Sequence, residues 1–310
     1  MKVRKKMEKR YDCIVIGAGV SGMTAAIYLK RAGLDVLLLE KSAPGGQINQ
    51  TSKIENYPGF LSVDGPTLAM NMFEQVQNLD ISYQYGNVAK IRNREDLKEV
   101  ITDQDIYLAK ALIIATGRIP NKLNLEEENQ FINRGVSWCA LCDGSFYKNK
   151  VVGVIGSGNS ALEEALYLSE ICSKVIMMNR KDRYKGSAML LEELKKKDNV
   201  EFIYHCVVQK LNEKDGHLGS ITVKQDENIK EIKMEGLFEY IGYHPDTEIL
   251  QDFHITSSDG YIIVDQNMKT NEKGIYACGD VIQKDVYQIA TAIGEGAIAA
   301  TQVQKDLSIQ

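Results

Sequence analysis

Short apolar runs rich in β-branched residues alternate along the chain with longer helical stretches. Residues 11–16 (Tyr-Asp-Cys-Ile-Val-Ile) read as a strand, 23–32 as a helix that Gly33 ends, and 36–39 as a second strand with Glu40 at its end. The same order returns as a strand at 151–155, a helix at about 162–171 and a strand at 175–178. Residues 110–114 and 274–278 are further short strands. Residues 288–306 form a long helical stretch whose many small residues suit close helix packing. Between these segments, 200–241 alternates weakly and reads as strands and hairpins. Strands alternating with helices predict an α/β fold with parallel sheets. No run of about 18 apolar residues occurs, so no membrane span is predicted.

Glycines mark both copies of this pattern. Gly17-Ala-Gly19-Val-Ser-Gly22 follows the first strand and opens the first helix. Such a turn is tight, and its backbone can approach a pyrophosphate at the helix N-terminus. Glu40, eighteen residues after Gly22, stands where an acid binds ribose hydroxyls. Glycines alone are a weak signal; with strand, helix and acid they indicate a dinucleotide site. The motif repeats 139 residues later as Gly156-Ser-Gly158-Asn159-Ser160-Ala161. There the position of Glu40 holds Asn179, followed by Arg180, Lys181 and Lys185. A site that lacks the acid and offers cations suits a ribose 2′-phosphate, the alternative being a solvated basic face. Two unlike sites imply two dinucleotides, FAD in the first and NADPH in the second.

The segment before the second copy carries Cys139-Ala-Leu-Cys142-Asp143. A Cys-x-x-Cys pair beside a βαβ pattern reads as a redox dithiol. Neighbouring groups can lower a thiol pKa toward neutrality, and Asp143 is placed to handle a proton at sulfur. Half of a zinc site is the competing reading. Zinc needs four ligands, however, and Cys13, Cys172, Cys206 and Cys278 are scattered singly while the four histidines form no pair. No metal is expected.

Composition narrows the class. Hydrophobic residues make up 44% and charged residues 25%, ordinary for a globular protein, and the net charge of −5 argues against nucleic acid as a partner. Residues 1–10 hold six basic residues and one Glu with no apolar run behind them, which reads as a solvated tail and not as a secretory signal. Six cysteines in 310 residues are too few for a disulfide scaffold and suit a cytoplasmic protein.

The remaining punctuation suggests an insertion. Arg118-Ile-Pro120-Asn121 and Gly242-Tyr-His-Pro245 read as linkers. Residues 1–119 and 246–310 would form an FAD-binding domain, with 120–245 an NADPH-binding domain carrying the Cys pair. The fold class is thus two Rossmann-like three-layer nucleotide-binding domains, the second inserted into the first. Gly45-Gly46-Gln47 and Glu55-Asn56-Tyr57-Pro58-Gly59 are loops that either contact a flavin or are plain surface turns. Thr116 and Gly117 follow a strand, as does Asp280, which reads either as a ligand of the ribityl or phosphate region or as a cap of the last helix. The start of that helix, at Gln288 and Ile289, is placed to face the flavin.

Taken together, and in this order, these motifs resemble the low-molecular-weight thioredoxin reductases over residues 11–303. The resemblance implies a homodimeric enzyme in which electrons pass from NADPH through FAD to the Cys139–Cys142 disulfide and on to thioredoxin or a thioredoxin-like protein. It implies that Cys142 lies against the flavin, that Cys139 attacks the partner, and that Asp143 is the acid. It also implies rotation of the inserted domain about hinges near Pro120 and Pro245. The family's His-Arg-Arg-x-x-x-Arg reads Asn179-Arg180-Lys181-Asp-Arg-Tyr-Lys185 here, which keeps charge without the paired arginines. Ser145 and Tyr287 stand where many members have an aromatic residue and an arginine. Reduction by ferredoxin or NADH, dithiol oxidation on the same scaffold, and a non-catalytic nucleotide-binding redox sensor are the competing functions.

Overall fold

The computed structural model describes residues 8–51 and 53–308. They divide into two compact units, one running to Ile119 and resuming at His244, the other comprising Pro120–Tyr243.

In the first unit β1 (Glu8–Ile16), α1 (Val20–Arg31) and β2 (Val36–Glu40) form the opening βαβ unit. Every residue of β2 is buried, as a parallel strand covered on both faces requires. Helix α2 (Gly65–Asn78) is capped by Asp64, whose carboxylate accepts from the Thr67 amide at 2.8 Å. Then come β3 (Ser82–Tyr85), the antiparallel pair β4 (Val88–Arg94) and β5 (Leu97–Thr102), and β6 (Ile106–Ile114). The sheet order is β3-β2-β1-β6-β5-β4. Cys13 and Val15 of β1 face one hydrophobic cluster, while Ile14 and Ile16 face another across the sheet.

Strand β1 begins inside the stretch expected to be a solvated tail. Glu8, Lys9 and Arg10 pair in register with Ile106, Tyr107 and Leu108, because β6 extends four residues beyond its expected start. Residues 1–7, the rest of that stretch, lie outside the described residues.

The chain crosses to the second unit through β7 (Arg118–Pro120). There α3 (Glu128–Phe131), β8 (Val136–Ser137) and the one-turn α4 (Ala140–Asp143) precede the second βαβ unit. That unit is β9 (Val151–Gly156), α5 (Asn159–Ile171) and β10 (Lys174–Met178). After α6 (Ala188–Lys195) and β11 (Val200–Ile203), the weakly alternating stretch resolves into an antiparallel sheet. Its strands are β12 (Cys206–Lys214), β13 (His217–Gln225) and β14 (Asn228–Lys233). Strand β15 (Gly236–Tyr240) completes a parallel sheet ordered β11-β10-β9-β15-β8. Val152, Val154 and Phe238 pack toward the helices, whereas Ile176, Met178 and Leu237 pack toward the antiparallel sheet, giving three layers.

The return strand β16 (Tyr243–Pro245) pairs with β7. The linkers are therefore a short ribbon and not irregular coil. Pro120 is tolerated there because it sits at a strand end, where no donor is needed. In the first unit, β17 (Ile275–Ala277) adds parallel to β6, and α7 (Ile289–Ser308) packs on α1. Both nucleotide-motif helices begin earlier than their apolar runs suggested, at Val20 and Asn159, because Gly19 and Gly158 serve as N-caps.

Candidate active site

The first glycine turn is built for close approach. Gly17 has φ +103°, and a Cβ there would lie 2.3 Å from the Ala115 carbonyl oxygen, so strand end and turn pack only through glycine. At Gly19 an added Cβ would meet nothing within 4 Å, leaving the outer side of the turn open. Helix α1 has no side-chain cap and no acid in its first turn, so its leading N–H groups are available to an anion. A pyrophosphate therefore fits this cradle.

The flanking loops converge on the turn. The Gly45 amide donates to Ala18 O at 2.8 Å, and a Cβ on Gly46 would come within 3.3 Å of Gly19 Cα. The 45–47 loop is thus part of the turn's surroundings and not an independent surface turn. Gln47 Nε2 donates to Arg118 O at 2.9 Å, and Asn56 Nδ2 donates to Gln288 Oε1 at 3.0 Å, tying the 55–59 loop to the residue ahead of Ile289 and α7. Thr116 Oγ1 donates to Asp246 O at 2.6 Å, and Gly117 O accepts from the Asp246 amide at 3.0 Å.

Two expected acids are more engaged than their positions suggested. Glu40 is buried, and its carboxylate accepts from the Ala18 amide at 2.7 Å and the Ser42 amide at 2.8 Å. The Ser42 hydroxyl also donates to Oε1 at 3.0 Å, so it is Oε2 that retains a lone pair for a ribose hydroxyl. Asp280 does not cap α7. Its carboxylate is held by Arg118 at 2.9 Å and Lys284 at 3.5 Å, and Lys284 also pairs with Glu295 at 2.8 Å. Tyr287 lies over the Arg118 guanidinium, 4.1 Å from carbon to ring centroid, which gives this residue a role as a cover for the Arg118–Asp280 pair.

In the second unit Cys139 and Cys142 are joined as a disulfide, with Cα atoms 5.3 Å apart. A helix start leaves N–H groups without intrahelical partners. Here several find one. The Cys139 amide donates to Ser137 Oγ at 3.0 Å, the Ala140 amide to the Tyr240 hydroxyl at 3.0 Å, and the Asp143 amide to Cys139 O at 3.1 Å. Ser137 Oγ in turn donates to Asp143 Oδ2 at 2.6 Å. Burial, and then the nearby Glu164, raises the Tyr240 hydroxyl, which stays neutral. Burial, with Glu163 adding, pushes Glu164 itself up to about 7. Ser137 and Tyr240 carry no motif, and only the folded backbone reveals them. Cys139 is buried and Cys142 exposed. The other four cysteines are buried thiols that burial raises, so at neutral pH they are not thiolates.

The second glycine turn repeats the first. Gly156 has φ +151°, and a Cβ there would lie 2.5 Å from Tyr240 O and 2.8 Å from the Ala161 Cβ. Gly158, Asn159 and Ser160 are exposed, and α5 likewise has no side-chain cap and no acid in its first turn. The basic loop folds onto this turn: the Lys185 and Gly186 amides donate to Ser157 O at 2.7 and 2.9 Å, and the Ser187 amide to Asn159 Oδ1 at 2.7 Å. Arg180, Lys181 and Lys185 are exposed along it, and so is Arg183. Asn179 is buried; its side chain donates to Arg183 O at 2.7 Å and accepts from the Lys181 amide at 3.2 Å. It shapes the loop.

The family model for pyridine nucleotide-disulphide oxidoreductases matches residues 11–296. Thioredoxin reductase of Bacillus subtilis is 40% identical over 301 residues, 96% of this chain and 95% of that protein. Among solved structures, thioredoxin reductase from Lactococcus lactis in its FR conformation matches with a TM-score of 0.90 and 41% identity, over 97% of this chain and all of that one. Thioredoxin reductase from T. acidophilum matches with a TM-score of 0.88 and 32% identity, over 97% of this chain and 100% of that one.

Proposed function

The chain belongs to the pyridine nucleotide-disulphide oxidoreductases, among their thioredoxin reductases, and we propose that it reduces the disulfide of thioredoxin or a thioredoxin-like protein. The observation that carries this reading is the disulfide at the head of α4, with Asp143 on the same turn, in the unit that holds the second glycine turn. FAD, when bound, supplies a two-electron carrier between NADPH and that disulfide. In this reading the first unit is the FAD-binding domain and the second the NADPH-binding domain.

Gly17, Gly19 and Gly22 admit the FAD pyrophosphate, Glu40 accepts from its ribose, and the 45–47 loop, Asn56, Thr116–Gly117, Asp280 and the start of α7 at Gln288 and Ile289 surround the remainder. Gly156, Gly158, Asn159, Ser160 and Ala161 hold the NADPH pyrophosphate, and Arg180, Lys181 and Lys185 face its 2′-phosphate. The exposed Arg183 supports the same preference.

Once the Cys139–Cys142 bond is reduced, one thiolate attacks the partner disulfide and forms a mixed disulfide. The partner's leaving sulfur takes a proton from Asp143. The second cysteine then gives up its own proton and attacks the mixed bond, reforming Cys139–Cys142; that proton goes to the partner's second sulfur, and the partner leaves as a dithiol. The resemblance gives the first attack to Cys139. That residue is buried in the disulfide form, so the assignment requires its sulfur to turn outward after reduction. The family's homodimer is proposed as the working unit. The buried state of the other four thiols supports a reducing, cytoplasmic setting. Among the described residues no helix is long and apolar enough to cross a membrane.

The test uses Cys139→Ser and Cys142→Ser in the FAD-loaded protein. Both lose thioredoxin reduction, both keep anaerobic bleaching of flavin by NADPH, and Cys142→Ser traps a mixed disulfide with thioredoxin through Cys139. Wild-type turnover by either variant would remove the dithiol from the reaction. Flavin that is bleached by reduced ferredoxin and not by NADPH would change the donor.

A further inference from the structure

Ser137 occupies an unusual place at the redox segment. It is buried at the end of β8, two residues before Cys139. Its hydroxyl oxygen accepts from the Cys139 amide at 3.0 Å. That leaves one hydroxyl proton and two acceptors, Asp143 Oδ2 at 2.6 Å and Cys139 O at 3.3 Å. The shorter contact is the stronger one, since an O–H···O bond is best made near 2.7 Å and is weak at 3.3 Å. The Cys139 carbonyl is moreover already served by the Asp143 amide at 3.1 Å. The proton order is therefore fixed in one direction: Cys139 N–H to Ser137, and Ser137 O–H to Asp143.

This order has a chemical consequence. A carboxyl oxygen that accepts a short hydrogen bond from a hydroxyl with no other use for its proton is not the oxygen that carries the acid proton. From this we propose that Ser137 is the positioning residue of the proton-transfer step: it holds Asp143 Oδ2 and places the transferable proton on Oδ1. The same hydroxyl fixes the Cys139 amide, so one side chain sets the geometry of the acid against the attacking cysteine. The inference rests on the role of Asp143 given above. In the step itself, the bond between the two partner sulfurs breaks as a sulfur–sulfur bond to this chain forms. The electron pair goes to the leaving sulfur, which takes the Oδ1 proton, and Asp143 is left as a carboxylate that Ser137 continues to hold.

The experiment compares two disulfides whose leaving groups differ in their need for a proton. Oxidised thioredoxin releases an alkyl thiolate, whereas 5,5′-dithiobis(2-nitrobenzoic acid) releases an aromatic thiolate of low pKa that departs without one. The prereduced FAD-loaded protein is mixed with each in single turnover. Ser137→Ala is expected to slow reaction with thioredoxin by about 10-fold, the size of one charge-assisted hydrogen bond, and to leave release of thionitrobenzoate nearly unchanged. Ser137→Thr, which keeps the hydroxyl, restores the thioredoxin rate. In an Asp143→Asn background, Ser137→Ala adds no further loss, because the group it positions is gone. Flavin bleaching by NADPH stays at the wild-type rate throughout.

Equal slowing with both disulfides, or a full additional loss in the Asp143→Asn background, would show that Ser137 acts through the Cys139 backbone and would overturn the proposal. Wild-type thioredoxin rates in Asp143→Asn alone would overturn the acid assignment beneath it, which separates the two failures.

Discussion

Glu239 is a carboxyl group in the wrong solvent, and its removal should stabilise the protein. It lies on β15 and is 1% exposed, on the strand face where Leu237 joins the apolar cluster with Phe131 and Val136. Neither oxygen makes a well-formed hydrogen bond, although the Glu128 carboxyl, the Leu123 amide and the Trp138 indole lie close to it. Burial raises it first and the neighbouring carboxyl of Glu128 second, pushing it up to about 9 from an ordinary 4.5, and the Leu123 amide and Trp138 indole offset only part of this. The group is neutral in the fold at pH 7 and ionised in the unfolded chain. Below pH 4.5 both states hold the proton and Glu239 carries no pH-linked penalty. As pH rises from there toward 9 the unfolded state releases its proton and the folded state does not, so stability falls by ~1.4 kcal/mol per pH unit. Between pH 5 and pH 8 the loss approaches ~4 kcal/mol. Glu239→Leu removes it, so the variant's gain over wild type should widen by that amount across the interval. Trp138 is the only tryptophan in the chain and lies in the same unit, so urea unfolding followed by its fluorescence reports the right structure. Wild-type and variant midpoints that run parallel from pH 5 to pH 8 would refute the reasoning, since they would mean that Glu239 ionises alike in both states.

Arg180→Ala with Lys181→Ala should raise KM for NADPH by about 10- to 100-fold, the loss of one charge-assisted contact of roughly 1.5–3 kcal/mol, and leave KM for NADH nearly unchanged; equal losses in steady-state kinetics would mean these cations do not read the 2′-phosphate. Glu40→Ala should weaken FAD retention by ~1.5–3 kcal/mol or more, because the Ala18 and Ser42 amides lose their acceptor along with the ribose, read as flavin released on gel filtration. Full flavin content in that variant would leave Glu40 a bystander.

Much of the fold is legible in the sequence because parallel strands buried on both faces leave unbroken apolar runs, as in 36–39, and because glycine turns have a fixed spacing. The meander of β4 and β5 was not legible. Val88 and Ile91 are three residues apart, which gives no strand period, and in β5 the charged Lys98 and Glu99 are buried, against the usual pattern. The candidate site divides the same way. Cys139, Cys142 and the glycines are recognised by type and spacing, because their chemistry depends on local backbone. Tyr240 and Arg118 act across tertiary contacts, and Ser137, though only two and six residues from its partners, belongs to no recognised spacing. Tyr240 stands 100 residues from the amide it accepts from, so no local pattern records it. Glu239 is a local conflict, an acid in a buried strand, visible only once β15 is known to be internal.

The internal repeat explains why an acid in one copy and an amide in the other are both used. In each copy the residue at the end of the second strand accepts from the amide two residues on, Glu40 from Ser42 and Asn179 from Lys181. In each, the carbonyl after the first turn glycine accepts from the loop that follows: Ala18 O from Gly45, and Ser157 O from Lys185 and Gly186. The shared task is to fold the loop after the strand back onto the glycine turn. The copies diverge at the second polar atom. Glu40, with only acceptors, reaches back to the Ala18 amide and binds strand end to turn. Asn179 has a donor as well, and spends it on Arg183 O, closing the basic loop on itself. An acid there would lose that donation and set a negative charge beside Arg180 and Lys181. The amide is thus the side chain that keeps the shared architecture while leaving those cations for an anion outside the fold.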